Sequence, residues 1–495
     1  MVEHRSPKPR AAGSNPATPA TIRLDLIVAI FLACAASLPA LLAHYPQMTD
    51  YPAHLARFHV MLARDSSAYL QHYYGFTWKW SGNLGADLLI RPLAAVMGLE
   101  PAGRLIVALI PVLTGLSIIA AELALRRRVG LGGLLAFSLI WQPSLVLGFL
   151  NYSMALALAL FAFALWVRLD GWRWRSLLFL PIAPLVWLCH VSGWGVLGLL
   201  VFGYEWSKDK SWRAVIAPWP LLLPFALLLV TAGSGGELGY GPNPLHFKGL
   251  LWERALHDQS EWLDKSSLAV IALLVLGAFA ARRIDGRIGW AALLMLVGSL
   301  AMPRHIFGGD YADYRLIGSG LIAACLAISW RAPRWLLLAA AALFLVRLGV
   351  TSEAWRRNSR ETAELLTALD HLPPGSRVAS AVAVDSNGWR LNSFEHVGAY
   401  ATVRRDALVN VHFALPGVHM LSLNGPGPHF RDPGQRLFVP AGRPVDLSRF
   451  APVQGADYLW YVGEQPVAQL PAGAAMVFRT DHSLLARLAK PPQHR

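Results

Sequence analysis

Residues 26–59 read "LIVAIFLACAASLPALLAHYPQMTDYPAHLARFH". The run up to Ala43 is almost wholly apolar. With its flanks (24–44) it reaches the roughly 20 residues that a bilayer-spanning helix needs. Beyond Ala43 the chain turns polar, dotted with histidines and punctuated by Pro46 and Pro52. A chain leaving lipid here has two uses for such a segment. Thr49 or Asp50 could cap an interfacial helix whose first turn holds Pro52. Alternatively, Asp50 and His54 are four apart, share a helical face, and could line one pocket. Either way, Leu55, Phe58 and Leu62 fall on a face expected to meet lipid, with His54 and Arg57 directed elsewhere.

The rest of the chain repeats the alternation. It is 55% hydrophobic and 15% charged, where soluble domains carry roughly 25% charged residues. A net charge of +14 would suggest nucleic acid on a soluble protein. Here the basic residues sit in short links between apolar runs, and no basic groove with interleaved aromatics is present, so no nucleic-acid partner is expected. Cys34, Cys189 and Cys325 lie in or beside apolar runs without metal-ligand spacing, so they define no disulfide framework. Residues 1–23, rich in Pro, Ala, Ser and Arg, read as a disordered cytoplasmic tail. Further spans come after the first, which favours an uncleaved span over a cleaved signal.

Eleven spans are expected, at about 24–44, 102–125, 131–149, 152–168, 176–189, 191–206, 213–232, 266–281, 288–302, 316–330 and 334–350. With the N-terminus inside, the inward links are "RRRVG" (126–130), "RLDGWRWR" (168–175), "SKDKSWR" (207–213), "ARRIDGR" (281–287) and "RAPR" (331–334), every one basic. The outward links are 45–101, tight turns at Asn151 and His190, and the loops 233–265 and 303–315. This count holds only if "GADLLIRPLAAVMG" (85–98), with Asp87, Arg91 and Pro92, lies at the surface rather than crossing. From about Thr351 to Arg495 the chain is polar and Pro/Gly-rich, the pattern of a small extracytoplasmic α/β domain. There "SRETAELLTALDHL" (359–372) and "DHSLLARLAK" (481–490) read as helices, and "RVASAVAV" (377–384) and "DYLWYVG" (457–463) as strands. The expected fold class is therefore an α-helical polytopic membrane protein, with residues 24–350 in the membrane part and 351–495 outside.

The outward links collect the ionisable residues. "PRHIFGGDYADYR" (303–315) supplies Arg304, His305, Asp310, Asp313 and Arg315, and the 233–265 loop supplies Glu237, His246, Lys248, His257, Asp258 and Glu261. Polar groups gathered at one membrane face point to a site there. Arg and His beside an acid suit a lipid phosphate and a proton acceptor. Taken singly, most of these residues read better as solvated loop positions or interfacial snorkelling side chains. Asp50, His190 and Arg315 abut spans and so carry more weight. "DYAD" with His305 could hold a divalent metal through oxygen ligands, at a spacing that is not specific. Trp78, Trp80, Trp172 and Trp174 read as an aromatic belt.

The order "TDYPAHL", then "NLGADLLIRPLAAVMG", then "AGRLIVALIPVLTGLSIIAAELALRRRVG", then "SLIWQPSLVLGFLNYSMALALALFAFALW" resembles membrane-integral GT-C glycosyltransferases, which use polyprenyl-phosphate sugars. The resemblance covers the architecture of 24–350 and the local pattern of 45–170. It implies that Asp50 acts as the base that deprotonates the acceptor, with His54 in support. It further implies that Arg304, His305 and Arg315, with His190 and Asn151, bind the donor phosphate. No cofactor is required. The implied activity is hexosyl or pentosyl transfer from a polyprenyl-phosphate donor to an envelope glycan, lipid or protein, at the outer face of a bacterial inner membrane. Three departures stand out. "SGNLGA" (81–86) lacks the "KPP"-like start of the surface helix found in many relatives. Asn151 stands where some relatives have an acid, and His190 where many have a Lys. A transporter or flippase for lipid-linked glycans remains an alternative, although such proteins show polar broken spans at mid-membrane and internal repeats. A non-catalytic assembly protein is the other.

Overall fold

The computed structural model describes residues 19–231, 238–306, 309–385, 388–425, 427–430 and 434–489. The tail expected at 1–23 lies outside the described residues as far as residue 18, and so does Glu237.

The described residues between 19 and 366 are mostly helical, with short strands at Tyr74–Phe76, Leu238–Gly239 and His305–Ile306. Among the described residues four helices are long and apolar enough to cross a membrane: Leu99–Arg126, Leu150–Arg168, Glu261–Ala280 and the helical stretch Arg334–His371. Shorter apolar helices cover Asp25–Ala35, Arg175–Cys189, Trp219–Leu228 and Gly286–Ala301. This is a coarser picture than eleven uniform spans. The expected span 131–149 is broken into Leu131–Phe137 and Pro143–Val146, and the first run breaks at Ala36 and Ser37. The expected span 213–232 falls into Trp212–Ile216, Trp219–Leu222 and Leu223–Thr231. Prolines cause two of these breaks. Pro143 and Pro220 lack the N–H that a continuing helix would use, so each begins a new turn.

The helices form a closed ring. Leu99–Arg126 packs on Leu150–Arg168, which packs on Val191–Lys208, then Gly286–Ala301, then Ala312–Ala327. Ala312–Ala327 meets Leu131–Phe137, which returns to Leu99–Arg126. Glu261–Ala280 lies outside the ring and leaves Trp262, Val270, Leu273, Leu276 and Phe279 exposed. Aliphatic and aromatic side chains bared along one helix face are what lipid covers in a membrane protein. Ion pairs gather at the basic links: Arg126 bridges Glu122 and Asp285, and Arg175 and Lys208 share Asp170 and Glu205.

The final apolar run does not end at Val350. Arg334–Leu366 is one helix of 33 residues, so the change to polar composition at Thr351 falls inside it. The expected helix at 359–372 is its continuation. Beyond it, the strand Arg377–Val384 is the centre of a six-stranded sheet. It pairs in parallel with Tyr458–Val462 on one side, and with Leu408–Val409 and Arg436–Phe438 on the other. Ser483–Arg487 pairs antiparallel with Tyr458–Val462, and Ala475–Arg479 closes the edge. Residues 481–489 therefore hold a strand where a helix is expected, Lys490 lying outside the described residues. Leu484, Leu485 and Ala486 are buried in that pairing, and tertiary packing overrides a helical pattern in so short a segment.

The 45–98 segment is folded onto this C-terminal region. Tyr51–Ala63 is helical, with Pro52 in its first turn. Its face of Leu55 and Phe58 is buried against Leu99–Arg126 and Ala399–Arg405, not turned to lipid as expected, and only Leu62 is exposed. Tyr74–Phe76 forms a two-stranded antiparallel sheet with Leu421–Leu423. Gly85–Met97 is a helix, as expected, with Leu88, Leu89, Val96 and Met97 exposed. Gly85 fits because a Cβ there would stand 2.4 Å from Cys189 Sγ.

Candidate functional site

Asp50 occupies the N-cap position of Tyr51–Ala63, yet its side chain caps nothing. Its backbone is already committed. Thr49 N–H donates to Val146 O at 3.2 Å and Asp50 N–H to Leu147 O at 2.9 Å. The break at 147–149 thus grips residues 49–50 as a strand edge would. Gly148 makes the grip possible: its φ is +100°, and a Cβ there would stand 3.1 Å from both Asp50 N and Asp50 Cβ. A Gly148→Val chain should lose about 1–3 kcal/mol of stability to backbone strain and displace Asp50. Thermal unfolding in detergent checks the first, and a structure of the variant checks the second.

The freed carboxylate faces a cavity of about 860 Å³. Asp50, His54, Asn151, His190, His305 and Arg315 all line it. The sequence places four of these at helix starts: Asp50 before Tyr51, Asn151 beside Leu150, His190 before Val191 and Arg315 in the first turn of Ala312–Ala327. Four helix N-termini directed to one space favour negative charge there.

Individual roles differ from expectation. Asn151 is consumed by structure. Its Oδ1 accepts from Ala86 N–H at 2.6 Å, and its Nδ2 donates to Asn83 O at 2.8 Å and to Asp87 Oδ2 at 3.3 Å. Asp87 in turn pairs with Arg57. This buried network fixes the helices Gly85–Met97 and Tyr51–Ala63 against Leu150–Arg168, so Asn151 positions the wall and has no amide left for a substrate. Arg304 does not line the cavity. Its Nε bonds Asp310 Oδ1 at 2.9 Å, and its guanidinium covers Phe247 and Tyr311. His305 is also drawn to Asp310, at 3.3 Å. His190 accepts the Ser192 N–H on Nδ1 at 3.0 Å, so the neutral ring carries its proton on Nε2 and keeps a donor. Arg315 has no hydrogen-bonded carboxylate among the described residues. Its Nε is buried without a partner, and its guanidinium lies over Phe149 at 4.6 Å. A cation left unpaired at a cavity wall is an anion-binding group.

The metal reading does not fit. Asp310 is spent on Arg304 and His305, while Asp313 is buried against Lys248 and its neighbour's backbone. Among the described residues no group of three His, Cys, Asp or Glu side chains converges for a metal ion.

Four residues that sequence reasoning missed complete the cavity: Glu395, His396, His419 and Arg436. Glu395, His419 and Arg436 line it, and Arg436 pairs with Glu395. His396 Nε2 stands 3.5 Å from Asp50 Oδ1. Its Nδ1 lies 3.0 Å from Val411 O, a contact that requires the ring proton on Nδ1 and leaves a lone pair toward Asp50. The signal is present in "FEHVGAY" and "NVHFALPGVHM", where histidines interrupt apolar pattern. Burial pushes the Asp50 carboxyl up to about 7, against the pull of Arg436 and Arg315. Burial also lowers His396 to about 4, and lowers His54 to about 3 with Arg57 adding to the effect. Near neutrality, then, both rings are uncharged, and Asp50 is the group that exchanges a proton.

Compared with protein-family models, curated proteins and solved structures, the chain matches none.

Proposed function

We propose that the protein is an integral-membrane glycosyltransferase of GT-C type that moves a sugar from a polyprenyl phosphate to an envelope glycan, lipid or protein. The observation that carries the reading is a carboxylate with a near-neutral pKa and an unpaired arginine lining one cavity, at the helix ends opposite the basic links. In the proposed reaction the acceptor oxygen attacks the anomeric carbon and the bond from that carbon to the phosphate oxygen breaks. The acceptor proton passes to Asp50, and the polyprenyl phosphate leaves with the bonding pair. Arg315 and the His190 Nε2–H neutralise the charge that develops on that phosphate. The His396 Nε2 lone pair, 3.5 Å from Asp50 Oδ1, accepts from the carboxyl once Asp50 has taken the proton.

In this reading the cavity opens at the outer face of a bacterial inner membrane, with the N-terminus inside and the C-terminal region outside, an orientation that the basic links support. The donor's polyprenyl tail lies in the bilayer while its phosphate enters the cavity. A strain lacking the protein should accumulate one polyprenyl-phosphate sugar and lose the matching sugar from an envelope glycan, both read by mass spectrometry. Unchanged donor levels with altered distribution between leaflets would instead support a flippase.

A further inference from the structure

A second cavity, of about 690 Å³, lies in the C-terminal region. Its floor is the carboxyl ends of two parallel strands, Arg377–Val384 and Tyr458–Val462. The chain leaves the first strand toward Leu408–Val409 on one side, and the later strand Tyr458–Val462 adds on the other. The strand order reverses at this point. In open parallel sheets such a reversal leaves a crevice outside the carboxyl ends, where ligands bind.

The chemistry of the crevice narrows the ligand. Arg357 and Glu361 reach it from the long helix, Arg390 from the segment after the central strand, and Glu464, Gln465 and His482 from the far side. Apart from the charge interactions of Arg357, Glu464 and His482 with Glu361 and of Arg357 with Glu353, the side chains of these six show no hydrogen bond or ion pair among the described residues. His482 Nδ1 is buried without a partner. A phosphate-bearing nucleotide fits poorly. Among the described residues no helix begins at the end of the central strand to receive a pyrophosphate, the next one being the seven-residue Ala399–Arg405. The two glutamates would also repel a phosphate. Carboxylate acceptors interleaved with guanidinium and amide donors match vicinal hydroxyls, which donate and accept at once.

A second observation gives the crevice a purpose. Leu391 lines both this cavity and the one holding Asp50. Along the same segment Phe394 faces the crevice and Glu395 the Asp50 cavity. Leu391 is a wall residue shared by the two spaces.

We propose that this crevice binds a neutral, polyhydroxylated ligand, a carbohydrate unit, and holds it beside the Asp50 cavity as the acceptor. Calling it the acceptor site rests on the transferase reading; carbohydrate binding itself does not. The test is saturation-transfer NMR on the full chain in nanodiscs, with methyl β-D-glucoside and methyl N-acetyl-β-D-glucosaminide as probes. Saturation should reach ring protons of at least one probe. Glu464→Ala and Arg390→Ala, both at exposed positions, should each weaken binding about tenfold, the loss expected for a hydrogen bond to a charged group. Asp50→Asn should bind the sugar as the unaltered chain does while its transfer falls about 10³-fold, so binding and transfer fail separately. Saturation absent with both probes, unchanged in the two crevice variants, or abolished by inorganic phosphate would overturn the proposal.

Discussion

An Asp50→Asn chain is expected to lose about 10³-fold in transfer rate, the scale of a general base, while folding as the unaltered chain does. The two halves of this expectation have separate grounds. The rate falls because asparagine offers no site for the acceptor's proton. The fold survives because the Asp50 side chain does not cap its helix, and the backbone bonds to Val146 and Leu147 are independent of side-chain identity. A pH profile sharpens the test. The base works only when ionised, and burial has raised its pKa to about 7. Transfer should therefore climb as pH rises through 7 and level off above, and that limb should vanish in Asp50→Asn. An unchanged rate in the variant would return Asp50 to the status of an idle N-cap residue.

Replacing Arg315 with Gln should cost about 10²–10³-fold, as the loss of one preorganised stabilising group does. The deficit should fall on kcat as well as KM, because charge on the phosphate grows as the sugar leaves. Arg304→Gln serves as the contrast. Its guanidinium is neutralised by Asp310 and lies outside the cavity, so its removal should change the rate little. If the two variants were equally impaired, the assignment of the phosphate to Arg315 would fail. Steady-state kinetics with a synthetic polyprenyl-phosphate sugar separates these outcomes.

Much of this site is legible in the sequence, for a physical reason. A residue at the end of an apolar run is placed by the run itself, so Asp50, His190 and Arg315 can be set at one end of the helices from hydropathy and basic links alone. Whether a side chain at that end is free or spent cannot be read in this way. Arg304 and Arg315 look alike on paper, and only Asp310 distinguishes them. Asn151 looks available in the sequence, but its amide holds Ala86, Asn83 and Asp87. The break at 138–149 is hidden as well, since its residues are as apolar as those of a span and only Pro143 and Gly148 mark it. The C-terminal wall is beyond reach for another reason: nothing local to His396 says that it will stand against a residue near the start of the chain.

That separation also governs when the molecule is finished. Tyr74–Phe76 waits for Leu421–Leu423, and His59 meets Asp406 across 347 residues of chain. At bacterial synthesis rates of about 5–20 residues per second, that gap is on the order of 20–70 s. For nearly all of it the segment bearing Asp50 is already made while Glu395 and His396 are not yet translated, and Arg436 follows later still. A chain that stalls or is cut short carries Asp50 without these partners and with one wall of its cavity missing. The wall around Asp50 is thus finished only by the last quarter of the chain, although the residue itself is made in the first tenth.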